Sequence, residues 1–306
     1  MPPVSDEESF LERVRRRVRL PRGSAVALGM GDDCAIYRPR GSRDDLLFTT
    51  DLLIEDVHFQ RDTHPPEAVA HRALARGLSD IAAMGGEPRF CLLSLALAPG
   101  TPQEWIGRFF DGLLRLAQRE AAPLAGGDLG HAEKLMCDVV VCGAVPRSTA
   151  LRRDGARPGD GIYVSGRLGG SALGLETRRG AAWKRHLRPE ARLRLGQYLR
   201  RRKTASAAMD LSDGLSLDLH RLCLASGVSA RIKEPPRDRG ASREQALHGG
   251  EDYELLFTVR PHTRVPESFE GLPLTRIGTI HKGSPGSVFL DERPLAPLGY
   301  DHFRHL

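Results

Sequence analysis

The sequence has 306 residues, of which 40% are hydrophobic and 27% are charged, and its formal net charge is +6. This length allows one large domain or two of ordinary size, and the composition excludes a wholly disordered chain. The longest apolar run, at 91–98, is far shorter than the roughly 18 residues of a membrane span, so no membrane segment is predicted. The N-terminus is acidic and then Arg-rich, without the apolar core of a signal peptide, which predicts a cytoplasmic protein. No zinc-finger, RNA-recognition or homeodomain signature accompanies the basic side chains, so we expect no nucleic-acid partner.

The first half of the chain predicts strands that alternate with amphipathic helices. The helix predicted at 66–84 places Val69, Leu74, Leu78 and Ile81 on one side, and the two glycines after it are typical of a helix end. The predicted elements are a helix at 7–20, a turn at 29–33, a strand at 46–51, a helix at 66–84, a strand at 91–98, a helix at 102–121 and a strand at 135–145. This order predicts an α/β or α+β unit with one sheet covered by helices.

The second half predicts a further series of strands and helices. Arg, Gly and Pro dominate the segment 146–160, and this change in composition predicts a domain boundary close to residue 147. The predicted elements beyond it are a strand at 161–165, helices at 170–176, 190–202 and 213–226, and strands at 229–232, 253–259, 275–280 and 287–290. The five cysteines form no CxxC pair, so we expect buried free thiols and neither a zinc site nor a disulfide framework.

Aspartates beside Gly, Ser or Thr follow apolar segments in five places. Any one of them is ordinarily a helix cap or a turn, but their recurrence favours a shared metal–phosphate site. Carboxylates at strand ends are held rigidly, small neighbours let an anion approach the backbone, and hard oxygen ligands suit Mg²⁺. The five motifs are GMGDDCA (29–35), FTTDLL (48–53), GLSDIAAMGG (77–86), AGGDLG (125–130) and MDLSDG (209–214).

Common nucleotide-binding signatures are missing from the sequence. It contains no GxxxxGK[ST] loop, no GxGxxG after a strand and no protein-kinase signature, so a bound nucleotide needs a different kind of site. Gly126, Gly127 and Asp128 offer one, because successive backbone N–H groups can bind a phosphate while the carboxylate binds its metal.

Nine motifs along the chain resemble, in their order, those of the thiamine-monophosphate kinases. This family belongs to the aminoimidazole-ribonucleotide synthetase-like superfamily, and the resemblance covers residues 5–303. The motifs are GMGDDCAIY, TTDLLIEDVHF, LSDIAAMGG, GGD, ALRRDGARPGD, YVSG, MDLSDGLSLDLHRL, GGEDYELLFTV and GYDHF.

The resemblance implies a two-domain fold of the α/β (α+β) class, in which each domain is a mixed sheet covered by helices. Residues 1–146 would form the ATP- and Mg²⁺-binding, dimerising domain, and residues 147–306 the C-terminal synthetase-like domain. The implied activity is the Mg²⁺-dependent transfer of phosphate from ATP to thiamine monophosphate, which completes thiamine diphosphate biosynthesis. The implied assembly is a homodimer.

Roles for individual residues also follow from the resemblance, by motif. No covalent nucleophile is implied, so phosphoryl transfer would be direct and in line. The implied ligands of several Mg²⁺ ions are Asp33, Thr49, Thr50, Asp51, Asp80, Asp128, Asp210 and Asp213. The implied ATP contacts are Gly127, Asp128, Arg153 and Ser212, and the implied contacts of the thiamine moiety are His58, Glu251 and Tyr300.

The chain departs from the family pattern at two positions beside these residues. Leu129 stands where many relatives have a threonine after GGD, and Gly77 stands where many have an asparagine before LSD. Two alternatives stay open. One is another ATP-dependent superfamily member, such as a ring-forming or selenophosphate synthetase, and the other is a non-catalytic nucleotide-binding protein.

Overall fold

A computed structural model describes residues 7–301, and within them the chain forms eight helices and fourteen strands. The helices are α1 (Glu7–Arg17), α2 (Pro66–Ala83), α3 (Gln103–Arg119), α4 (Gly170–Thr177), α5 (Gly180–Leu187), α6 (Leu193–Arg201), α7 (Leu215–Ser226) and α8 (Arg243–His248). The strands of the first half are β1 (Val26–Leu28), β2 (Ala35–Tyr37), β3 (Asp44–Ile54), β4 (Glu87–Leu97), β5 (Leu124–His131) and β6 (Met136–Pro146). Those of the second half are β7 (Gly161–Ser165), β8 (Ala205–Asp210), β9 (Ser229–Ile232), β10 (Leu255–Val259), β11 (Ser268–Phe269), β12 (Leu272–His281), β13 (Val288–Leu290) and β14 (Arg293–Pro294).

The first half forms a six-stranded sheet in the order β1-β2-β3-β6-β4-β5. It is mixed, because β4 and β5 run parallel while the other neighbours are antiparallel. Alternation along β6 directs Cys137, Val139 and Val141 to one face, and all three are fully buried. Helix α2 packs on β3 and β6 and is covered in turn by α3.

Helix α2 lies between the two halves of the molecule. It contacts the first sheet on one side and α6 and β8 on the other, so nearly every turn of it is buried. Small residues allow these close approaches. A Cβ on Gly196 would lie 1.9 Å from the carbonyl oxygen of Ala82, and one on Gly77 would lie 2.6 Å from Val141 Cγ2. The family departure at Gly77 therefore coincides with tight packing of α2 on β6.

The second half forms an eight-stranded sheet in the order β14-β13-β9-β12-β7-β10-β8, with β11 paired to β12. This sheet is also mixed, because β9 and β13 are parallel. Its side chains contribute to two apolar clusters, one shared with α2 and one formed with α7 and α8. The predicted α/β (α+β) class with two mixed, helix-covered sheets is confirmed. The division at residue 147 falls between β6 and β7 and stays a prediction.

Several elements differ from those expected from the sequence. The strand β5, which carries the GGD motif, was not expected. Its residues after Leu124 are exposed, so no burial alternation marks it. The strand β8 and the short helices α5 and α8 were not expected, because their apolar residues show no clear periodicity. Helix α1 ends at Arg17, three residues before the expected end. None of the helices between residues 7 and 301 is long and apolar enough to cross a membrane.

Candidate active site

Three carboxylates from distant parts of the sequence meet between the two sheets. Asp33 lies in the loop before β2, Asp80 lies on α2, and Asp210 is the last residue of β8. Each offers a carboxylate oxygen, and these three oxygens lie within 4.8 Å of one another. The sequence predicted all three as metal ligands, and the fold brings them together.

The surroundings of this cluster suit a divalent cation. Thr49 donates a hydrogen bond to Asp80, and Ser79 Oγ donates one to Asp210 Oδ2 at 2.7 Å. The Oδ2 atom of Asp33 is buried without a hydrogen-bond partner. Burial raises the pKa of Asp80 and of Asp210 well above the ordinary value, and repulsion from neighbouring carboxylates adds to the rise. Carboxylates held this closely resist joint ionisation unless a cation is present, and an all-oxygen donor set fits Mg²⁺.

Arg153 and Asp32 flank the cluster. Arg153 forms an ion pair with Asp33, and its backbone N–H donates to Asp32 Oδ2 at 3.2 Å. Burial raises the pKa of Asp32 to about 7, and the adjacent Asp33 carboxylate contributes to the rise. Arg153, predicted as an ATP contact, is thus the counter-ion of the GDD motif here. Asp32 was not predicted, although its place beside Asp33 in that motif is a usable signal.

The predicted ligands on β3 divide between the two faces of the first sheet. Asp51 lies with Thr49 on the face that packs against α2, and its Oδ1 accepts a hydrogen bond from Arg76 Nε at 3.3 Å. Thr50 points the opposite way and donates to Asp138 Oδ1 at 2.6 Å. The alternation of side chains along a strand requires this division, because consecutive residues cannot share a face.

Asp128 and Gly127 lie on β5, away from the cluster. Asp128 is exposed, and its Oδ1 accepts a hydrogen bond from the backbone N–H of Leu129 at 3.0 Å. In the sheet register Ser94 pairs with both Asp128 and Asp138, so both aspartates face the side on which Thr50 lies. The structure therefore groups Asp128 with Thr50 and the unpredicted Asp138, separately from Asp33, Asp80 and Asp210.

Ser212 and Asp213 lie in the loop between β8 and α7, next to Asp210. Asp213 forms an ion pair with Arg221. The buried Asp218 accepts hydrogen bonds from the backbone N–H groups of Asp213 and Gly214 at 3.1 and 3.0 Å, so it holds the loop at the start of α7. Burial raises the pKa of Asp218 to about 7, with a contribution from Asp213. The role of Asp218, which lies in the first turn of α7, was not predicted.

A cavity of about 420 Å³ extends from the cluster, a size suited to a small organic ligand. Carboxylates surround Asp80 at one end, and Glu251, paired with Arg72 about two turns before Asp80 on α2, lies towards the other. Its lining includes Asp51, Asp80, Asp210, Ser212 and Asp213, together with His58, Glu251 and Tyr300.

Glu251 is fixed at the second end of the cavity in a left-handed backbone conformation, with φ of 64°. Its N–H donates to the carbonyl oxygen of Ser212 at 2.6 Å, and Arg72 Nη2 donates to its Oε1 at 2.6 Å. Burial raises the pKa of Glu251, but the positive charge of Arg72 and the nearby His186 outweigh this, so the pKa lies below its ordinary value. An ionised carboxylate at this position can attract a cation.

The two other carboxylates of the GGEDYEL motif are structural. Asp252 accepts hydrogen bonds from the N–H groups of Gly169 and Ser171, at the start of α4. Glu254 is fully buried and forms an ion pair with Arg192 at 2.6 Å. Within this motif, Glu251 is the carboxylate that lines the cavity.

Histidine and aromatic groups complete the wall. The Ile54 N–H donates to His58 Nδ1 at 3.1 Å, so the ring proton of neutral His58 lies on Nε2. His186 stacks on Trp183 with ring centroids 5.1 Å apart, and its Nδ1 lies 3.0 Å from Ser171 Oγ. Tyr300, whose N–H donates to Asp213, borders the cavity with 40% of its surface exposed. Sequence reasoning missed His186 as part of this wall and Arg72 as the partner of Glu251.

Comparisons with known proteins agree with this arrangement. The AIR synthase related protein, N-terminal domain, matches residues 31–145, and the AIR synthase related protein, C-terminal domain, matches residues 157–291. The thiamine-monophosphate kinase of Salmonella typhimurium is 39% identical, with 97% of this chain and 98% of the relative covered. That of Bacillus subtilis is 34% identical, with 92% and 95% covered. The structure of AaThiL complexed with AMPPCP and TMP is 34% identical, with a TM-score of 0.85 and 97% of both chains covered.

Proposed function

Because the chain belongs to the thiamine-monophosphate kinase family of AIR synthase-related proteins, we propose that it transfers the γ-phosphoryl group of ATP to thiamine monophosphate. The products are thiamine diphosphate and ADP, and this reaction completes thiamine diphosphate biosynthesis. The solved relative AaThiL was obtained with AMPPCP and TMP, which supports ATP as the co-substrate.

The observation that carries the proposal is one cavity with two chemically different ends. Buried aspartates at one end can bind the metal ions that accompany phosphates, and the ionised Glu251 at the other can bind a cation. Thiamine monophosphate carries both features, a phosphate and a cationic thiazolium ring. ATP alone accounts for the carboxylate end but not for an ionised Glu251 in the lining of the same cavity.

We assign roles accordingly. Asp33, Asp80 and Asp210 would hold Mg²⁺ together with Asp51 and Asp213. Thr49 would be a further ligand on the same face of the first sheet, whereas Thr50 and Asp128, on the opposite face, would bind a separate Mg²⁺ ion. The ATP contacts would be Gly127, Asp128, Arg153 and Ser212. When bound there, Mg²⁺ would supply positive charge that offsets the negative charge of the phosphates in the transition state.

The second end of the cavity orients the acceptor. Glu251 attracts the thiazolium ring, Tyr300 offers an aromatic face to the same cation, and the Nε2–H of His58 can donate to the substrate. A phosphate monoester has a second pKa of about 6 and is mostly dianionic at neutral pH, so its oxygen can attack without a strong general base. Positioning and charge stabilisation then supply most of the rate.

The transfer proceeds in line without a phosphoenzyme, since no nucleophilic side chain is required. Incubation with γ-labelled ATP alone, followed by denaturation, should leave no label on the protein. Stable label on His58 or on an aspartate would contradict the direct mechanism.

One assay tests the proposed function against its alternatives. The purified chain is incubated with ATP, Mg²⁺ and either thiamine monophosphate, thiamine or an aminoimidazole precursor, and ADP release is measured. We expect release with thiamine monophosphate and formation of thiamine diphosphate in equal amount. Release only with another acceptor would favour a different member of the superfamily, and no release with any would favour a non-catalytic nucleotide-binding protein.

We also propose a cytoplasmic homodimer. A cytoplasmic location fits the use of ATP, and the exposed strand β5, with Gly127 and Asp128, offers the first sheet a surface for a second copy. Sedimentation at micromolar concentration should give about twice the 33.6 kDa of one chain, and a 33.6 kDa species would contradict the dimer.

A further inference from the structure

The roles above leave Arg76, which α2 contributes to the lining of the cavity, without an assignment. The cavity carries carboxylates at its metal end, and a phosphate dianion placed among them meets repulsion. We propose that Arg76 binds the phosphate group of the acceptor substrate. This inference rests on the proposed function and adds to it a site for the acceptor phosphate.

The spacing of charges along α2 supports this assignment. Arg72, Arg76 and Asp80 are four residues apart and therefore lie on one face of the helix, with a rise of about 6 Å between successive members. Arg72 binds Glu251 at the cation end, and Asp80 belongs to the metal cluster. Arg76 lies between them. In thiamine monophosphate a two-carbon chain joins the thiazolium ring to the phosphate ester. A thiazolium ring bound at Glu251 would therefore place the phosphate beside Arg76.

The hydrogen bonding of Arg76 leaves a donor for this phosphate. Its Nε contacts Asp51 Oδ1 at 3.3 Å, whereas its Nη1 is buried and has no hydrogen-bond partner. A buried donor without a partner costs free energy, and a phosphate oxygen would remove that cost. Burial lowers the pKa of Arg76, but the nearby Tyr253, Asp51 and Glu251 raise it by more, so the guanidinium stays charged. The planar guanidinium also matches phosphate geometry better than an ammonium group does.

The assignment has a consequence for selectivity. Thiamine itself carries no phosphate, so on binding it would leave Nη1 of Arg76 unpaired while still satisfying Glu251. Arg76 therefore favours the phosphorylated acceptor over the free vitamin by a contact that only one of them can make.

The test compares the dissociation constants of thiamine monophosphate and thiamine by calorimetry, with EDTA present so that no metal bridge contributes. In Arg76→Gln we expect thiamine monophosphate to bind about 10- to 100-fold more weakly, the range for loss of one charge-assisted contact, while thiamine affinity changes little. Arg76→Lys keeps the charge and should show a smaller loss. It also provides a second variant if Arg76→Gln does not fold. The matched control is Arg178→Gln, at the exposed rim of the same cavity, where the ratio of the two affinities should not change.

The possible outcomes separate this inference from the proposed function. The assignment of Arg76 would be overturned if Arg76→Gln bound thiamine monophosphate and thiamine with equally weakened affinity. It would also be overturned if Arg76→Gln and Arg76→Lys both bound thiamine monophosphate as tightly as the wild type. Either result would count against Arg76 even if the wild-type protein is an active kinase. Failure of the wild-type protein to convert thiamine monophosphate in the ADP-release assay would instead overturn the proposed function.

Discussion

Replacing Glu251 by Gln tests the cation end of the cavity. The change keeps the size of the side chain and removes its negative charge, which the structure holds ionised beside Arg72 at 2.6 Å. A charge-assisted contact is worth about 1.5–3 kcal/mol, so KM for thiamine monophosphate should rise about 10- to 100-fold. KM for ATP should change little, because Glu251 faces the organic cation and not the aspartate cluster.

The assay is steady-state ADP release with each substrate varied in turn, and a neutral acceptor sharpens it. A phosphate ester whose thiazolium is replaced by an uncharged thiophene ring should bind wild type and Glu251→Gln with similar affinity, since the charge-dependent contact is absent from both. The matched control is Glu176→Gln on α4, where the exposed carboxylate bonds Gln245. It should alter neither KM.

The change also leaves the buried Arg72 without its charged partner, so thermal unfolding of the variant must be measured alongside its kinetics. A loss of stability that leaves the two KM values unchanged would mean that Glu251 serves the fold alone. Our placement of the thiazolium would be refuted if Glu251→Gln weakened the binding of ATP, or of the neutral analogue, as much as the binding of thiamine monophosphate.

Three further predictions follow from the cluster and from a buried histidine. Asp51→Asn should lower kcat about 100-fold and change KM for thiamine monophosphate less, because metal stabilisation grows in the transition state; a change confined to KM would contradict this role. Mg²⁺ should raise the melting temperature of the wild-type protein, and Asp210→Asn should lose most of that gain; an equal gain in both would argue against Asp210 as a ligand. Burial lowers the pKa of His71, which contacts Pro189 O at 2.8 Å, to about 4. The unfolded chain therefore binds a proton there that the folded chain does not, and stability falls as pH drops from about 6.5 towards 4. At pH 5 this difference in protonation lowers the free energy of unfolding by about 2 kcal/mol. Denaturant unfolding should therefore show that His71→Gln loses correspondingly less stability than wild type between pH 7 and pH 5. Equal losses in the two proteins would refute this role of His71.

Much of the local chemistry could be predicted from the sequence. Aspartates beside small residues at the ends of apolar runs indicated a shared metal–phosphate site. The resemblance to the family then implied Asp33, Asp80 and Asp210 as metal ligands and Glu251 as a contact of the thiamine moiety. Helix α2 was predicted within one residue of its observed end, because its apolar positions repeat with the period of a helix. These features depend on short stretches of chain, whose spacing is visible in the sequence.

Tertiary structure alone decided which of these residues meet. Asp210 reaches Asp33 and Asp80 because β8 packs against α2, and no local pattern records that contact between distant segments. Strand pairing placed Thr50 and Asp128 on the opposite sheet face from the cluster. The roles of Arg72 and Arg76 depend likewise on what packs opposite α2, since a helix period shows which side chains share a face but not which groups that face meets. Residue types and local spacing thus determined the available chemistry, and the packing of one sheet against the other through α2 determined its arrangement.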